Sequence, residues 1–175
     1  MATNNKKKNL YYLCLTALFT AAITAATFIH IPAPLSNGGY IHPGDIFVYL
    51  SACFLPTPYA AVASALGGGL ADGLSGAVMW VIPSVIIKAA MTLALTNSGA
   101  KIVSGRNLMG IVLGSVITVA GYYLAEVIVF GCGFAVPLAS VPFNAVQAVG
   151  CAALFVLTGL ALDKTNIKNS LQKVR

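Results

Sequence analysis

The run LYYLCLTALFTAAITAATFI, residues 10–29, carries no charged side chain and ends shortly before Pro32 and Pro34. The hydrocarbon core of a bilayer is about 30 Å thick, so a spanning helix needs roughly 20 mostly apolar residues. Proline lacks the amide donor and clashes with the preceding turn, so the two prolines stop the helix. Residues 10–29 therefore predict a first transmembrane helix.

The composition of the whole chain indicates that lipid surrounds these apolar side chains. Of the 175 residues, 58% are hydrophobic and only 8% are charged, whereas about a quarter of the residues in a soluble domain are charged. No solenoid-length repeat is evident, and the connecting segments are too short to hold a soluble domain. We therefore expect one all-α integral membrane domain over residues 1–175.

Five further apolar stretches follow the first. Residues 43–76 predict a hairpin of two arms hinged at Pro56-Thr57-Pro58, and further spans are predicted at 78–95, 108–130 and 141–162. The first arm, 43–55, would rise only about 20 Å. The second predicted helix is therefore short or re-entrant. The sequence predicts six transmembrane helices within a bundle of residues 10–163.

Basic residues predict the orientation, because lysine and arginine near span ends are retained in the cytoplasm. Lys6–Lys8, the loop with Lys101 and Arg106, and the basic tail 164–175 fall on one side, and the three opposite loops carry no lysine or arginine. We expect cytoplasmic tails at 1–9 and 164–175 in a multi-pass protein of the bacterial plasma membrane. The net charge of +6 then reflects contact with anionic lipid and not nucleic-acid binding.

The four cysteines are predicted to be small packing residues. Cys14, Cys53, Cys132 and Cys151 are widely spaced and mostly lie in apolar runs. This spacing disfavours a zinc site or a disulfide framework.

Ionised side chains at bilayer depth indicate function, since each costs roughly 2.5 to 3.5 kcal/mol without a partner or a wet cavity. Lys88 lies near the middle of the fourth span, while Asp72 and Glu126 lie near the outer ends of the third and fifth. Lys88 with Asp72 or Glu126 is either a structural ion pair or a ligand contact. Asp45, near a helix start, is expected to complement the helix dipole.

Polar and aromatic residues outline a candidate binding site at the outer end. Asn144 and Gln147 are neighbours on one helix face, and their amides suit a heterocycle or, alternatively, hold helices together. Tyr122 either stacks on a ring or packs internally, and the loop residue Tyr40 adds a further ring. His30 and His42 of the same loop are either solvated or contact the ligand. The predicted substrate-binding residues are Lys88, Glu126, Asn144, Gln147, Tyr122 and Tyr40.

The first span also carries a stripe of small residues. Ala17, Ala21 and Ala25 recur every four positions. Small residues at this spacing make a flat surface that another helix approaches closely. That helix is either internal or supplied by a partner protein.

Four stretches together resemble a known family. They are GDIFVYL from Gly44, GGGLADGLSG from Gly67, IIK ending at Lys88, and VPFNAVQ from Val141. Their order and spacing resemble the substrate-binding S components of energy-coupling factor (ECF) transporters over nearly the whole chain. The branch it looks most like is the riboflavin-type S components.

The resemblance implies a subunit that captures a vitamin or vitamin precursor from outside, under a gate formed by the loop between the first two spans. It implies docking on a transmembrane coupling protein through Ala17, Ala21 and Ala25, with ATP hydrolysis in two cytoplasmic ATPases and no cofactor in this chain. Lys88, Glu126, Asn144 and Gln147 would contact the ligand. The sequence agrees, since it lacks the GxxxxGK[ST] phosphate loop. Its one tryptophan, Trp80, does not support the cage of several tryptophans of the thiamine type.

Two other classes are weighed against this interpretation. A stand-alone proton-coupled secondary transporter could use Glu126 or Asp72, but no inverted repeat is evident. A membrane enzyme needs a nucleophile or a metal constellation, which the scattered cysteines and two loop histidines do not supply.

Overall fold

The computed structural model describes residues 2–34, 38–131 and 133–173, and these form seven α-helices and two short antiparallel strands. The helices are α1 (Ala2–Phe28), α2 (Asp45–Phe54), α3 (Thr57–Leu74), α4 (Val81–Thr92), α5 (Gly105–Val129), α6 (Val141–Lys164) and α7 (Ile167–Lys173). The strands β1 (Ile31–Pro32) and β2 (Tyr40–Ile41) pair as a hairpin between α1 and α2. Cys132 and the last two residues of the predicted basic tail lie outside the described residues.

Length and composition make this an all-helical membrane protein. Three helical segments are long and apolar enough to cross a bilayer, namely Lys6–Phe28, Gly105–Val129 and Val141–Lys164, and two shorter apolar ones are Asp45–Phe54 and Val78–Thr92. Large apolar side chains cover the surface, with Ile82 72% exposed and Ile128 77% exposed. In a bilayer these side chains would contact apolar lipid chains and not water, so their exposure would carry no hydrophobic cost.

Each of the six predicted spans is helical. The hinge at Pro56 separates α2 from α3 as predicted, and α2 has only ten residues, which is a rise of about 15 Å. The fourth span is shorter than predicted: a 3₁₀ turn at Val78–Trp80 leads into α4, which ends at Thr92 instead of continuing to Leu95. The number of helices that cross the membrane stays a prediction.

Glycines allow α3 to pack closely between α1 and α4. A Cβ atom on Gly67 would lie 2.7 Å from the Cβ of Ile23 on α1, and one on Gly69 would lie 2.8 Å from Val85 on α4. Contacts this short do not occur between real side chains, so these positions must lack a side chain. The triple glycine therefore allows α1 and α4 to pack closely against α3.

The two faces of α1 have different surroundings. Tyr12, Ile23 and Ala26 are buried in the bundle. Ala17, Ala21 and Ala25 are exposed on the opposite face. The described residues therefore do not use the alanine stripe for internal packing.

The loop between α4 and α5 is fixed by two polar side chains from elsewhere in the chain. The carboxylate of Asp163 accepts hydrogen bonds from the backbone N–H groups of Ile102 (2.7 Å) and Val103 (3.0 Å). The buried amide of Asn107 donates to the carbonyl of Ile102 (2.9 Å) and accepts from the N–H of Thr96 (3.0 Å). This end of the bundle, called the tail end below, is therefore ordered by side-chain capping of backbone groups.

Candidate functional site

A small cavity lies at the other end of the bundle, which we call the hairpin end. It is lined by residues of the hairpin region, α3, α4, α5 and α6: Ala33, Gly39, Tyr40, His42, Asp72, Trp80, Ser84, Tyr122, Glu126, Ser140, Phe143, Asn144 and Gln147. Its volume is about 40 Å³, which is room for about three water molecules. The cavity is thus closed to a larger ligand in this conformation.

One wall of the cavity is aromatic. Trp80 packs edge-on against Tyr122 with ring centroids 5.7 Å apart, and Phe130 lies behind it at 5.1 Å. The hydroxyl of Tyr122 shares a hydrogen bond of 2.9 Å with Ser84. The Tyr122 ring is therefore held in a fixed orientation, and the Lys88 ammonium lies over it, 5.3 Å from the ring centroid.

The hairpin is fastened to α3 over the cavity by Tyr40. Its hydroxyl donates a hydrogen bond to Oδ1 of Asp72, and its ring lies 4.3 Å from that of His30. Burial and the neighbouring Asp72 carboxylate raise the pKa of Tyr40, so the phenol keeps its proton and remains the donor. Oδ2 of Asp72 accepts no hydrogen bond from the described residues.

The predicted ion pair of Lys88 forms with a different carboxylate. The Lys88 ammonium lies 2.5 Å from Oδ1 of Asp45, and the two side chains are 2% and 1% exposed. Asp72 and Glu126, the partners expected from the sequence, face the cavity instead. The N-terminus of α2 packs beside α4, so Asp45 reaches the depth of Lys88 and is more than a dipole-complementing residue at the helix start.

Gln147 and His42 extend this ion pair to the cavity wall. Nε2 of Gln147 donates to Oδ2 of Asp45 (2.9 Å), and Oε1 of Gln147 accepts from the backbone N–H of His42 (3.1 Å). Nδ1 of His42 accepts from the N–H of Gly44 (3.1 Å). Burial and the Lys88 charge lower the pKa of His42 to about 3, so the ring is uncharged at neutral pH.

Glu126 and Asn144 complete the polar side. The hydroxyl of Ser140 donates to Oε2 of Glu126 at 2.8 Å, and the Glu126 side chain is 4% exposed. Asn144 is half-buried on the first turns of α6. Aromatic rings therefore face a set of carboxylate, amide and hydroxyl groups across a narrow space, which is the usual makeup of a small-molecule site.

Comparison with known proteins agrees with this architecture. Residues 7–164 match the model of a family described as ECF-type riboflavin transporter, S component. The chain belongs to this family. The solved S component of a bacterial ECF transporter has the same fold, with a TM-score of 0.69 and 15% identity over 88% of this chain and 96% of that one. An uncharacterized protein of Pyrococcus woesei is 33% identical over 117 residues, which is 66% of this chain and 78% of that protein.

As an S component, the chain is a transporter binding subunit and not an enzyme. The described residues include no group of three or more His, Cys, Asp or Glu side chains that could hold a metal ion. The described cysteines, Cys14, Cys53 and Cys151, are free thiols.

The structure brings five of the six predicted binding residues to the cavity of the S component: Tyr40, Tyr122, Glu126, Asn144 and Gln147. Lys88 is not among the residues that line the cavity. It is paired with Asp45, which accepts a hydrogen bond from the lining residue Gln147. Sequence reasoning missed Ser84, although Ser84 lies four residues before Lys88 and therefore on the same helix face. No sequence pattern indicated that Phe143 and Ser140 would also line the cavity.

Proposed function

We propose that this S component captures a small water-soluble vitamin or vitamin precursor from the extracellular side and delivers it through an ECF transporter. The observation that carries the proposal is the cavity beneath the hairpin, where aromatic and polar groups converge. The family description names riboflavin, and other vitamins with rings and hydroxyls, such as pyridoxine or hydroxymethylpyrimidine, have the same kinds of groups.

The distribution of basic residues supports the proposed side of capture. The exposed basic residues Lys101, Arg106 and Lys164 lie at the tail end, and basic residues near span ends remain in the cytoplasm. The hairpin end, with the cavity, then faces outward in a six-span bundle in the bacterial plasma membrane. A single membrane domain of residues 1–175 with both termini inside is part of this proposal.

Ligand entry requires a movement of the hairpin. A cavity of about 40 Å³ is far smaller than the roughly 300–1,000 Å³ of typical ligand pockets. Above it lies a surface depression of about 460 Å³ that shares Ala33, Gly39, Tyr40 and Trp80 with the cavity. These four residues separate the ligand site from the outside, so the hairpin is the gate.

Energy is proposed to come from partner subunits. The chain has no phosphate loop, so we assign ATP hydrolysis to two cytoplasmic ATPases joined to this chain by a transmembrane coupling protein. The exposed stripe of Ala17, Ala21 and Ala25 is the proposed docking surface, because small residues let a partner helix approach closely in lipid.

The test is ligand retention by the purified protein together with uptake in cells. We expect mass spectrometry to find a vitamin-like ring compound that co-purifies from rich medium, and we expect uptake to stop in cells that lack the ATPase subunits. Uptake that persists without the ATPases and collapses with the proton gradient would identify a secondary transporter instead.

A further inference from the structure

A separate short helix follows α6 at the tail end of the bundle. Residues 7–164 match the family, and α7 (Ile167–Lys173) lies beyond them. The turn between α6 and α7 contains Asn166, whose φ of 53° is left-handed, a conformation that asparagine adopts more readily than most residues. This turn ends α6 and gives α7 a new direction. The helix α7 is therefore a distinct element, which we call the strap.

The strap holds one peptide group of the loop between α4 and α5. The ammonium of Lys168, which is only 3% exposed, donates to the carbonyl of Lys101 at 3.3 Å. The N–H of the same peptide group belongs to Ile102 and donates to Asp163 of α6 at 2.7 Å. The C=O and N–H of a trans peptide point in opposite directions. Lys168 and Asp163 therefore hold this peptide group from its two sides.

The other end of the strap reaches α1. The hydroxyl of Tyr11 donates to the backbone carbonyl of Leu171 at 3.3 Å, and Leu171 lies about one turn along the strap from Lys168. This carbonyl belongs to the last turn of α7, where backbone acceptors have no partner within the helix. The strap therefore crosses the tail end and joins α1 to the loop between α4 and α5.

This connection holds α1 close to its alanine stripe. Elsewhere α1 packs chiefly against α3 and α2, and the hydroxyls of Thr20 and Thr24 donate to backbone carbonyls of α3. Tyr11 lies six residues before Ala17, which is about 9 Å along the helix. The strap thus fixes the tail end of α1 just before the point where the stripe begins.

Resting on the proposed function, we propose that the strap positions the alanine stripe of α1 for docking on the coupling protein. Close packing of helices in lipid requires that the small residues face the partner helix. A surface that is already ordered avoids an ordering cost that binding otherwise includes. Lys168 and Tyr11 are positioning residues, because neither lines the cavity nor belongs to the stripe, and both act through the orientation of α1.

The experiment separates docking from ligand capture. Docking is measured by the amount of coupling protein and ATPase that co-purifies with the tagged full chain. Capture is measured by the dissociation constant for riboflavin, or for pyridoxine or hydroxymethylpyrimidine if the wild-type chain retains one of these instead. Lys168→Met and Tyr11→Phe each remove one attachment of the strap and keep the side-chain size. We expect co-purification to fall by about fivefold, the effect of one lost hydrogen bond, with the dissociation constant changed by less than about twofold.

Lys164→Met is the matched control, because it removes an exposed lysine four residues before Lys168 and leaves both attachments of the strap in place. It should assemble like the wild type. Wild-type assembly in both Lys168→Met and Tyr11→Phe would overturn the inference. A parallel loss of assembly and vitamin affinity would overturn it too, since it would indicate a role in folding.

The wild-type chain distinguishes this inference from the proposed function. If it assembles with the coupling protein but binds no vitamin, the proposed capture fails, and the assembly of the variants still decides the role of the strap. If it does not assemble, the proposed docking and the inference fail together.

Discussion

Lys88 and Asp45 form a buried ion pair that links three helices through their side chains. Lys88 comes from α4, Asp45 begins α2, and Gln147 of α6 binds the second oxygen of Asp45. The attraction between the two charges and the added hydrogen bond offset the loss of hydration. Removing only one of the two residues would leave the charge of the other unpaired in an apolar interior, which is costly.

Replacing Lys88 with Met should strongly destabilise the protein. Met fills a similar volume but leaves the Asp45 carboxylate buried without a counter-charge, and the expected loss is about 3–5 kcal/mol. Thermal unfolding in detergent measures it. The double variant Asp45→Asn with Lys88→Met should recover most of the loss, since it removes both charges. A double variant as unstable as Lys88→Met alone would show that the ion pair is not the cause.

The sequence predicts that Lys88 needs a partner but does not identify the partner. The position of Asp45 near a helix start predicts that it complements the helix dipole, and this prediction requires no ion pair. The choice among Asp45, Asp72 and Glu126 depends on how α2 and α4 pack, which no local pattern encodes. Gln147 shows the same limit, since its amide hydrogen bonds to Asp45 and His42 join segments that are far apart in sequence.

At the scale of the helix, Gly67 sets the distance between α1 and α3. A methyl group at this position would meet Ile23 at 2.7 Å and the backbone oxygen of Thr20 at 3.1 Å, and backbone cannot move aside without shifting α1. Gly67→Ala should therefore cost about 1–3 kcal/mol by overpacking. The measurement is again thermal unfolding in detergent.

Gly150 supplies the matched control for this change. It lies within α6, and an added Cβ would meet nothing within 4 Å. Alanine favours a helix over glycine by about 1 kcal/mol, so Gly150→Ala should leave stability equal or slightly higher. If Gly67→Ala and Gly150→Ala lost equal stability, the loss would come from replacing glycine with alanine in a helix and not from the contact of Gly67 with α1.

The exposed face of α1 leads to a prediction about docking. Ala21 lies in the middle of the alanine stripe and is exposed, so Ala21→Phe should not disturb the fold. A bulky side chain keeps a partner helix at a distance, and we expect uptake to fall by about tenfold or more with ligand affinity unchanged. Ala153→Phe, at an exposed position of α6, is the control that should retain uptake. Equal loss of uptake and binding in Ala21→Phe would rule out a docking role.

Helix positions were largely predictable, whereas the connections were not. The prolines and glycines punctuate the apolar runs, so the starts of α2, α3 and α6 follow the sequence closely. The early end of α4 is different: the N–H of Thr96 binds the side chain of Asn107, a residue of the next helix. Contacts of this kind, like those of Asp163 with Ile102 and Val103, depend on tertiary packing.

At the scale of the whole molecule, the ligand cavity and the alanine stripe are separate features of one bundle. The cavity is built from α3 to α6 and the hairpin, while the stripe lies on the outer face of α1. The hairpin follows α1 directly and is fastened to α3 by Tyr40 and Asp72. The proposed docking surface on α1 is thus continuous in sequence with the segment that covers the cavity.

The remaining prediction concerns how many times the chain crosses the membrane. Ala100, in the loop between α4 and α5, and Ala135, between α5 and α6, are both exposed. In a background with the four native cysteines replaced by alanine, Ala135→Cys should react in intact cells with a maleimide that does not cross membranes. Ala100→Cys should react only after the cells are permeabilised.

Six spans and three spans give opposite results in this experiment. If only α1, α5 and α6 crossed the bilayer, with the N-terminus inside, Ala100 would be outside and Ala135 inside. Labelling of Ala100→Cys in intact cells, together with protection of Ala135→Cys, would therefore contradict the six-span topology. In that three-span topology α1 would carry the hairpin to the outside while the hairpin end of α5 and α6 lay inside. The cavity is lined by residues of both, so that result would also contradict the fold.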